Sequence, residues 1–373
     1  MRLIDPVPGR GAGTEPAFAA YGLPGAPGTD AFWAAAGTPV PVAADGGGWV
    51  TLFLWRGSPA RIDFESWSEP VPLRRWGDTD CWYAEVRMPA RLRVTYQFLA
   101  DDTAYADPFN PVGAGGDRSI AATPDAPAQP HWPGIGAADI LPVPRTRLRW
   151  AGGRLGGRRT VRVHAAGGGG PVVLLLDGDD WLYLHPAMTA FDSAVARGEM
   201  PPVTLVFLPT RDREAEFGCR PELWEAVRDE LLPLVADSGV PADGDRLVVA
   251  GQSLGGLSAM YAALEFPDLV TRVACQSASF WWAPGAAEQA DPLGGPVGGA
   301  IAARLRERHP DLSGLRIAFD VGEHETRMLP HCELTETLTA QAGATVRVSR
   351  SASGHDRAGW RHALLRDVAW ALT

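Results

Sequence analysis

Residues 247 to 266 constrain the fold of this chain more than any other stretch. The apolar run Leu247-Val248-Val249-Ala250 leads into Gly251-Gln252-Ser253-Leu254-Gly255, and a helical pattern follows from Gly256 through Phe266. A G-x-S-x-G turn between a buried strand and a helix sets a serine on a sharp bend, with small residues on both sides because the backbone passes close to itself. Such a bend presents the Ser253 Oγ above the sheet as a nucleophile. The backbone N–H of Leu254, at the positive end of the helix, is then expected to face a developing oxyanion. The chain has 43 glycines, so the match carries weight through its strand and helix context rather than by itself.

The rest of the chain supplies a setting for that turn. Its 373 residues exceed the usual size of a single core, and two domains are expected. Residues 1 to about 30 are rich in Gly, Pro and Ala and read as a loosely ordered or partly helical lead-in. Short aromatic and β-branched runs follow at Trp49–Trp55, Ala60–Phe64, Cys81–Met88 and Arg93–Leu99, spaced as in a small all-β, immunoglobulin-like sandwich. Asp107-Pro108-Phe109-Asn110-Pro111 is expected to close it. A Pro, Ala and Asp rich stretch over 120–145 marks the boundary, giving an N-terminal domain over 1–145 and a second over 146–373. In the second, apolar strands alternate with helical patterns: Val172–Leu176, Val203–Leu208, a long helix over Glu222–Ala236, the Leu247 strand, Val270–Cys275, Leu315–Val321 and Thr345–Ser349. That order describes a mostly parallel sheet covered on both faces, as in an α/β-hydrolase.

A serine hydroxyl needs a base and a group that orients the base. In this fold the chain order is serine, acid, histidine. His355, in Ser353-Gly354-His355-Asp356 after the last strand, is the expected base, with His324 the rival; His309, His331 and His362 fall in helical patterns. The acid should follow the strand Leu315–Val321. Glu325 is preferred because a carboxylate three residues after a glycine suits this turn, with Glu323 the alternative; Asp320 still belongs to the strand. The second oxyanion donor usually comes from the loop after an earlier strand, here the N–H of Asp179 in Asp177-Gly178-Asp179-Asp180-Trp181.

Composition narrows the chemistry further. There is no lysine, which removes Schiff-base chemistry and a Walker A loop together. Cys81, Cys219, Cys275 and Cys332 lie far apart with no C-x-x-C pair, so neither a zinc site nor a disulfide framework is expected. A net charge of −10 argues against a nucleic-acid partner. Met1 to Phe18 holds no apolar stretch of signal-peptide length and no segment approaches the length of a membrane span, so no membrane partner and a cytoplasmic location are expected. The oligomeric state is left open.

Several motifs together resemble the enterochelin (ferric enterobactin) esterases of the esterase D group. They are Leu175-Leu176-Asp177-Gly178 with Trp181, Phe217-Gly218-Cys219-Arg220-Pro221-Glu222-Leu223-Trp224 leading to Glu230-Leu231-Leu232-Pro233-Leu234, the serine turn, Gln276-Ser277-Ala278-Ser279-Phe280-Trp281-Trp282, and Gly354-His355-Asp356. In the N-terminal part, Asp78-Thr79-Asp80-Cys81-Trp82 and Asp107–Pro111 look like that family's lid-like sandwich. The resemblance implies a serine esterase that cuts the trilactone of a catecholate siderophore inside the cell. It implies no cofactor, iron entering only with the substrate. Trp281 and Trp282 would stack on catechol rings, or else fill a seam between the domains. Of Arg211, Arg213 and Arg220 near the serine turn, Arg220 is the expected contact to an anionic ferric complex. Two other readings stand beside this one: a carbohydrate or feruloyl-type esterase of the same group, and a non-catalytic binding protein that keeps the fold.

Overall fold

The computed structural model describes residues 5–6, 18–65, 69–135, 140–286, 289 and 291–373. The expected lead-in lies outside the described residues at 1–4 and 7–17. The chain forms two compact units. The first takes the described residues of 1–128 and 134–139 together with Ala352–Gly359; the second takes Gln129–Pro133, Ile140–Ser351 and Trp360–Thr373. Side chains explain both excursions. His131 bonds to Ser193 and Glu199 and Trp132 packs on Trp181, all in the second unit. Asp356 bonds to Thr95 within the first.

The first unit has strands β1 (Asp5–Pro6), β2 (Val40–Ala43), β3 (Trp49–Arg56), β4 (Ala60–Phe64), β5 (Val71–Pro72), β6 (Arg74–Arg75), β7 (Cys81–Met88), β8 (Arg93–Ala100), β9 (Thr103–Tyr105), β10 (Gly113–Gly115) and β11 (Arg118–Ala122), with the α-helix α1 (Asp30–Ala35) and a 3-10 turn at Phe18–Tyr21. Among the described residues they make two antiparallel sheets, in orders β1-β7-β3-β2 and β10-β11-β8-β4-β5, with β6 and β9 attached at β7 and β8. Phe53, Ala84, Val86 and Met88 of one sheet meet Ile62, Phe64, Val94, Tyr96 and Phe98 of the other, forming the sandwich core. Leu52 and Leu54 point the other way and are buried with Phe32 and Trp33 of α1. Strand β3 is therefore covered on both faces, which is why its sequence reads as a continuous apolar run rather than an alternation.

The sandwich does not close at Asp107–Pro111 as expected. Residue Asp107 is a hub there, accepting from Thr38 Oγ1 at 2.6 Å and Tyr96 OH at 2.7 Å. Strands β10 and β11 then follow, and β11 pairs with β8 from Ser119–Tyr96 to Ala122–Arg93. Segment Ala352–Gly359 is fastened to this unit. The Asp356 carboxylate is fully buried and accepts from Thr95 N at 2.6 Å, Thr95 Oγ1 at 2.8 Å and Ala358 N at 2.7 Å, while Ala358 packs with Ala114 and Ile120.

The second unit is built on an eight-stranded sheet among the described residues. Its strands are β12 (Thr146–Trp150), β13 (Arg159–Ala166), β14 (Gly170–Leu175), β15 (Val203–Phe207), β16 (Ala242–Gln252), β17 (Arg272–Gln276), β18 (Arg316–Gly322) and β19 (Thr345–Ser351), in order β12-β13-β15-β14-β16-β17-β18-β19. Pairing is antiparallel from β12 to β15 and parallel from β15 to β19. The helices are α2 (Ala187–Ala196), α3 (Arg213–Phe217), α4 (Pro221–Ala226), α5 (Leu232–Ala236), α6 (Leu254–Glu265), α7 (Ala300–Arg308), α8 (Leu329–Gln341) and α9 (Arg357–Leu372), whose first turn belongs to the first unit. Val172, Leu174 and Leu176 enter the core on one face of the sheet, Val173 and Leu175 the core on the other. The helix expected over Glu222–Ala236 contains a π-turn, Val227–Leu231, between α4 and α5. Leu232 N–H reaches the Val227 carbonyl there, just before Pro233, which has no N–H to continue the regular pattern. No helix among the described residues is long and apolar enough to cross a membrane.

Candidate active site

Strand β16 runs through the middle of the sheet and stops at Gln252. Ser253 then takes φ 56° and ψ −121°, a left-handed backbone that a side chain rarely adopts, and α6 starts at Leu254. Three backbone bonds impose that conformation: Ser253 N–H donates to the Gln276 carbonyl at 3.1 Å, and the Ser253 carbonyl accepts from Leu257 at 3.1 Å and Ser279 at 3.0 Å. The glycines around it are steric necessities at two positions. A Cβ on Gly251 would lie 2.3 Å from the Gly255 carbonyl oxygen, and one on Gly256 2.7 Å from the Ala278 Cβ, whereas one on Gly255 would find only ordinary contacts from 3.5 Å. Ser253 is half-buried, with its Oγ 3.2 Å from the Ser279 Oγ. Leu254, the first residue of the helix, has an N–H with no acceptor inside it.

The loop after β14 lies beside this turn. Asp177 has φ 52°, and Gly178 is wedged where a Cβ would be 2.4 Å from the Leu208 nitrogen. Gly178 N–H is used up on the Leu208 carbonyl at 2.8 Å, while Asp180 N–H donates to the Asp177 carbonyl. Between them the Asp179 N–H has no acceptor among the described residues. Trp181, from the same loop, donates through Nε1 to Gln252 Oε1 at 2.8 Å, and Gln252 Nε2 donates to Gln276 Oε1 at 2.6 Å.

Of the two glutamates after β18, Glu323 is exposed and Glu325 is buried. The Glu325 Oε1 accepts from Gly322 N–H at 2.8 Å and from Ser277 Oγ at 2.5 Å. The Ser277 hydroxyl accepts in turn from Trp360 Nε1 at 2.7 Å. Ser277 is held at φ 46°, its N–H bonded to the Asp320 carbonyl. Asp320 itself is occupied, its carboxylate accepting from Ser349 and Ser351 and paired with Arg366 at 3.0 Å. His324 is half-buried, and burial pushes its imidazole below the ordinary histidine range. His355 stands in Ala352–Gly359, the segment grouped with the first unit, while Ser253, Glu325 and the two N–H groups stand in the second. Both residues that flank the segment sit near Glu325: Ser351 accepts from Glu323 N–H at 2.8 Å, and Trp360 reaches Ser277. His309 caps the end of α7, His331 is buried in α8, and His362 lies on an exposed face of α9.

Arg220 is exposed at the start of α4 and has no ion-pair partner among the described residues. Arg211 donates to the Arg158 carbonyl at 2.7 Å, and Arg213 is paired with Asp177 at 2.9 Å. Trp282 belongs to the core of the second unit at 7% exposure, its ring 2.9 Å from where a Gly218 Cβ would be, and Trp281 is half-buried against that core. Sequence reasoning singled out neither Ser277 nor Trp360 as supports of Glu325. Ser277 and Ser279 were visible only as letters of the Gln276–Trp282 motif. Burial pushes the Cys81 and Cys219 thiols up to about 12 and raises those of Cys275 and Cys332 as well, which disfavours the thiolate at all four positions. Among the described residues no three His, Cys, Asp or Glu side chains cluster as metal ligands would.

The family model described as "Putative esterase" matches residues 152–371. The iron(III) enterobactin esterase of Dickeya dadantii is 30% identical across 93% of this chain and 93% of its own length, and that of Escherichia coli O6:H1 is 30% identical across 81% and 82%. The chain belongs to the iron(III) enterobactin esterase family. As a member of that family it is a carboxylic ester hydrolase with an α/β esterase fold behind an N-terminal β-rich region. The crystal structure of the Shigella flexneri enterobactin esterase in the presence of enterobactin aligns with a TM-score of 0.80 at 26% identity, covering 92% of this chain and 98% of that one. The structure of the same enzyme in the presence of 2,3-Di-hydroxy-N-benzoyl-glycine aligns at 0.79 and 27% over the same shares. Similarity to this family thus spans both units.

Proposed function

We propose that this chain hydrolyses the ester bonds of a ferric catecholate siderophore of the enterobactin type, in the cytoplasm, releasing iron with the cut ligand. The observation that carries this reading is the left-handed Ser253 at the β16–α6 bend, in a chain 30% identical to an iron(III) enterobactin esterase across 93% of its length. Four free cysteines agree with a reducing compartment.

Ser253 attacks the lactone carbonyl while His355 takes its proton, and Glu325 holds the imidazole and offsets its charge. The N–H groups of Leu254 and Asp179 receive the oxyanion. The C–O bond to the leaving serine unit then breaks, and His355 returns the proton to that oxygen. A water molecule, deprotonated by the same imidazole, attacks the acyl-enzyme and frees the acid. Two features support Glu325 as the acid: its burial, and two donors on Oε1 that fix the orientation of the side chain. Chain order supports His355, which follows the last strand and comes after both the serine and the acid in the sequence.

We assign the chemistry to an esterase domain over 146–373, preceded by the sandwich domain over 1–145. Arg220, exposed and unpaired among the described residues, is the proposed contact for the anionic complex, and Trp281 offers more ring surface to a catechol than Trp282 does. The partner is a small molecule, and no resident cofactor takes part. The test is Ser253→Ala assayed on iron-loaded and iron-free cyclic catecholate lactones. Loss of hydrolysis on both is expected, and turnover that survives the substitution would sink the mechanism.

A further inference from the structure

Strands β14 and β16 pair in parallel through Leu175 and Ala250, and the Leu176 N–H donates to the Ala250 carbonyl at 3.0 Å. Past that rung both chains leave the sheet through left-handed residues, Asp177 at φ 52° and Ser253 at φ 56°. At the level of Asp177 and Gln252 a side chain takes over. Arg213 Nε donates to both Asp177 carboxylate oxygens at 3.0 Å, and its Nη2 donates to Asp177 Oδ2 at 2.9 Å and to the Gln252 carbonyl at 3.0 Å. One guanidinium thus stands where the next backbone rung would be. Asp177 precedes Asp179 by two residues and Gln252 precedes Leu254 by two, so the clamp grips each chain just before one of the two free N–H groups.

We propose that Arg213 and Asp177 are positioning residues that fix the spacing between the two oxyanion donors, a role that rests on the serine-esterase reading above. Oxyanion stabilisation depends on donors set before the charge forms, and a misplacement of about 1 Å can cost about 100-fold in rate. The clamp suits this task. The Asp177 carboxylate is 8% exposed, while the Arg213 side chain is 36% exposed. The guanidinium also lies over the Phe217 ring at 5.8 Å, and the start of α3 is capped by Asp212 accepting from Ala215 N–H. A planar fork can hold a carboxylate and a carbonyl at once; a lysine ammonium cannot reproduce that geometry.

The experiment compares Arg213→Ala, Arg213→Lys and Asp177→Asn with wild type on a neutral p-nitrophenyl ester and on a ferric catecholate trilactone. It also measures inhibition by an alkyl boronic acid, which forms a tetrahedral anion on the serine. Arg213→Ala is expected to lower kcat about 100-fold on both esters with KM within about twofold, and boronate affinity should fall by a similar factor. Arg213→Lys should stay low. Asp177→Asn keeps the bond to Gln252 and should lose about 10-fold in the same pattern; it decides the matter if Arg213→Ala does not fold. Wild-type kcat in a folded variant, full rescue by lysine, or a loss confined to KM for the ferric substrate would overturn the proposal, the last making Arg213 a substrate cation. Labelling by a fluorophosphonate separates the two levels: wild type that does not react at Ser253 defeats the serine mechanism itself, whereas normal labelling with unchanged variants defeats only the clamp.

Discussion

Thr95 and Asp356, 261 positions apart in the chain, share two hydrogen bonds, from the Thr95 N–H to Oδ2 at 2.6 Å and from its hydroxyl to Oδ1 at 2.8 Å. The carboxylate has no exposed surface, and it also serves the Ala358 N–H. Removing it strands three donors away from water. Asp356→Ala should therefore destabilise the first unit by about 3 kcal/mol, and Thr95→Val, which removes one donor and keeps the shape, by about 1 kcal/mol. Urea unfolding followed by probes in each unit checks this, and the cycle closed by the double variant should reveal coupling between the pair.

The two glutamates after β18 differ in what holds them. Glu325 is buried with two donors on one oxygen, while Glu323 is exposed. If Glu325 orients the base, Glu325→Gln lowers kcat by at least about 100-fold and Glu323→Gln leaves it within about twofold. Ser277→Ala should cost about 10-fold, because it removes one of those donors together with the hydroxyl that Trp360 Nε1 reaches. Steady-state kinetics on a neutral ester reads all three free of substrate-charge effects.

Much of this site could be read from letters alone because its rules are local. The strand, bend and helix around Ser253 lie within twenty residues, and apolar runs such as Val172–Leu176 reveal a sheet buried on both faces. What escaped depends on distant partners. Strand β11 has no strong pattern of its own and exists by pairing with β8, and the helix α1 was hidden in a Gly and Pro rich context until Leu52 and Leu54 gave it a surface to cover. Ser277 could not be recognised as a support of Glu325 because that bond links positions 48 apart. For the same reason a domain boundary drawn along the sequence could not anticipate that Ala352–Gly359 folds with residues of the first unit.

Glycine at 251 and glycine at 255 look equivalent in the motif and are not equivalent in space. A Cβ at 251 meets the Gly255 carbonyl at 2.3 Å, backbone against backbone, with nothing flexible to move aside. Gly251→Ala should open the bend, displace Ser253 and abolish fluorophosphonate labelling. Gly255→Ala places its methyl in ordinary contact with Leu176 Cβ at 3.5 Å and should keep labelling within a few-fold of wild type. Labelling rates with intact-protein mass analysis distinguish the two.

Two buried carboxyls, Asp367 and Glu65, each contribute stability that should be lost as pH rises from acid toward neutral. Burial lifts Asp367 from 3.8 to about 6 against the pull of Arg366, with Asp320 adding to the rise and Gln276 opposing it. Burial likewise lifts Glu65 from 4.5 to about 7, helped by Asp356 and opposed by Arg118, Arg357 and His355. Each group keeps its proton in the folded state at pH values where the unfolded chain has released it, so the folded state binds more protons and the slope of unfolding free energy with pH is negative. The contribution is fully present below about pH 4 and is lost as pH rises through about 6 for Asp367 and about 7 for Glu65. For Asp367 it amounts to something on the order of 3 kcal/mol. Asp367→Asn should flatten the fall between about pH 4 and 6, and Glu65→Gln the fall between about pH 4.5 and 7, each in the unit that holds the residue. Melting curves across pH 4 to 8 for wild type and both variants read this, and a variant whose pH slope matches that of wild type would contradict the assignment for its residue.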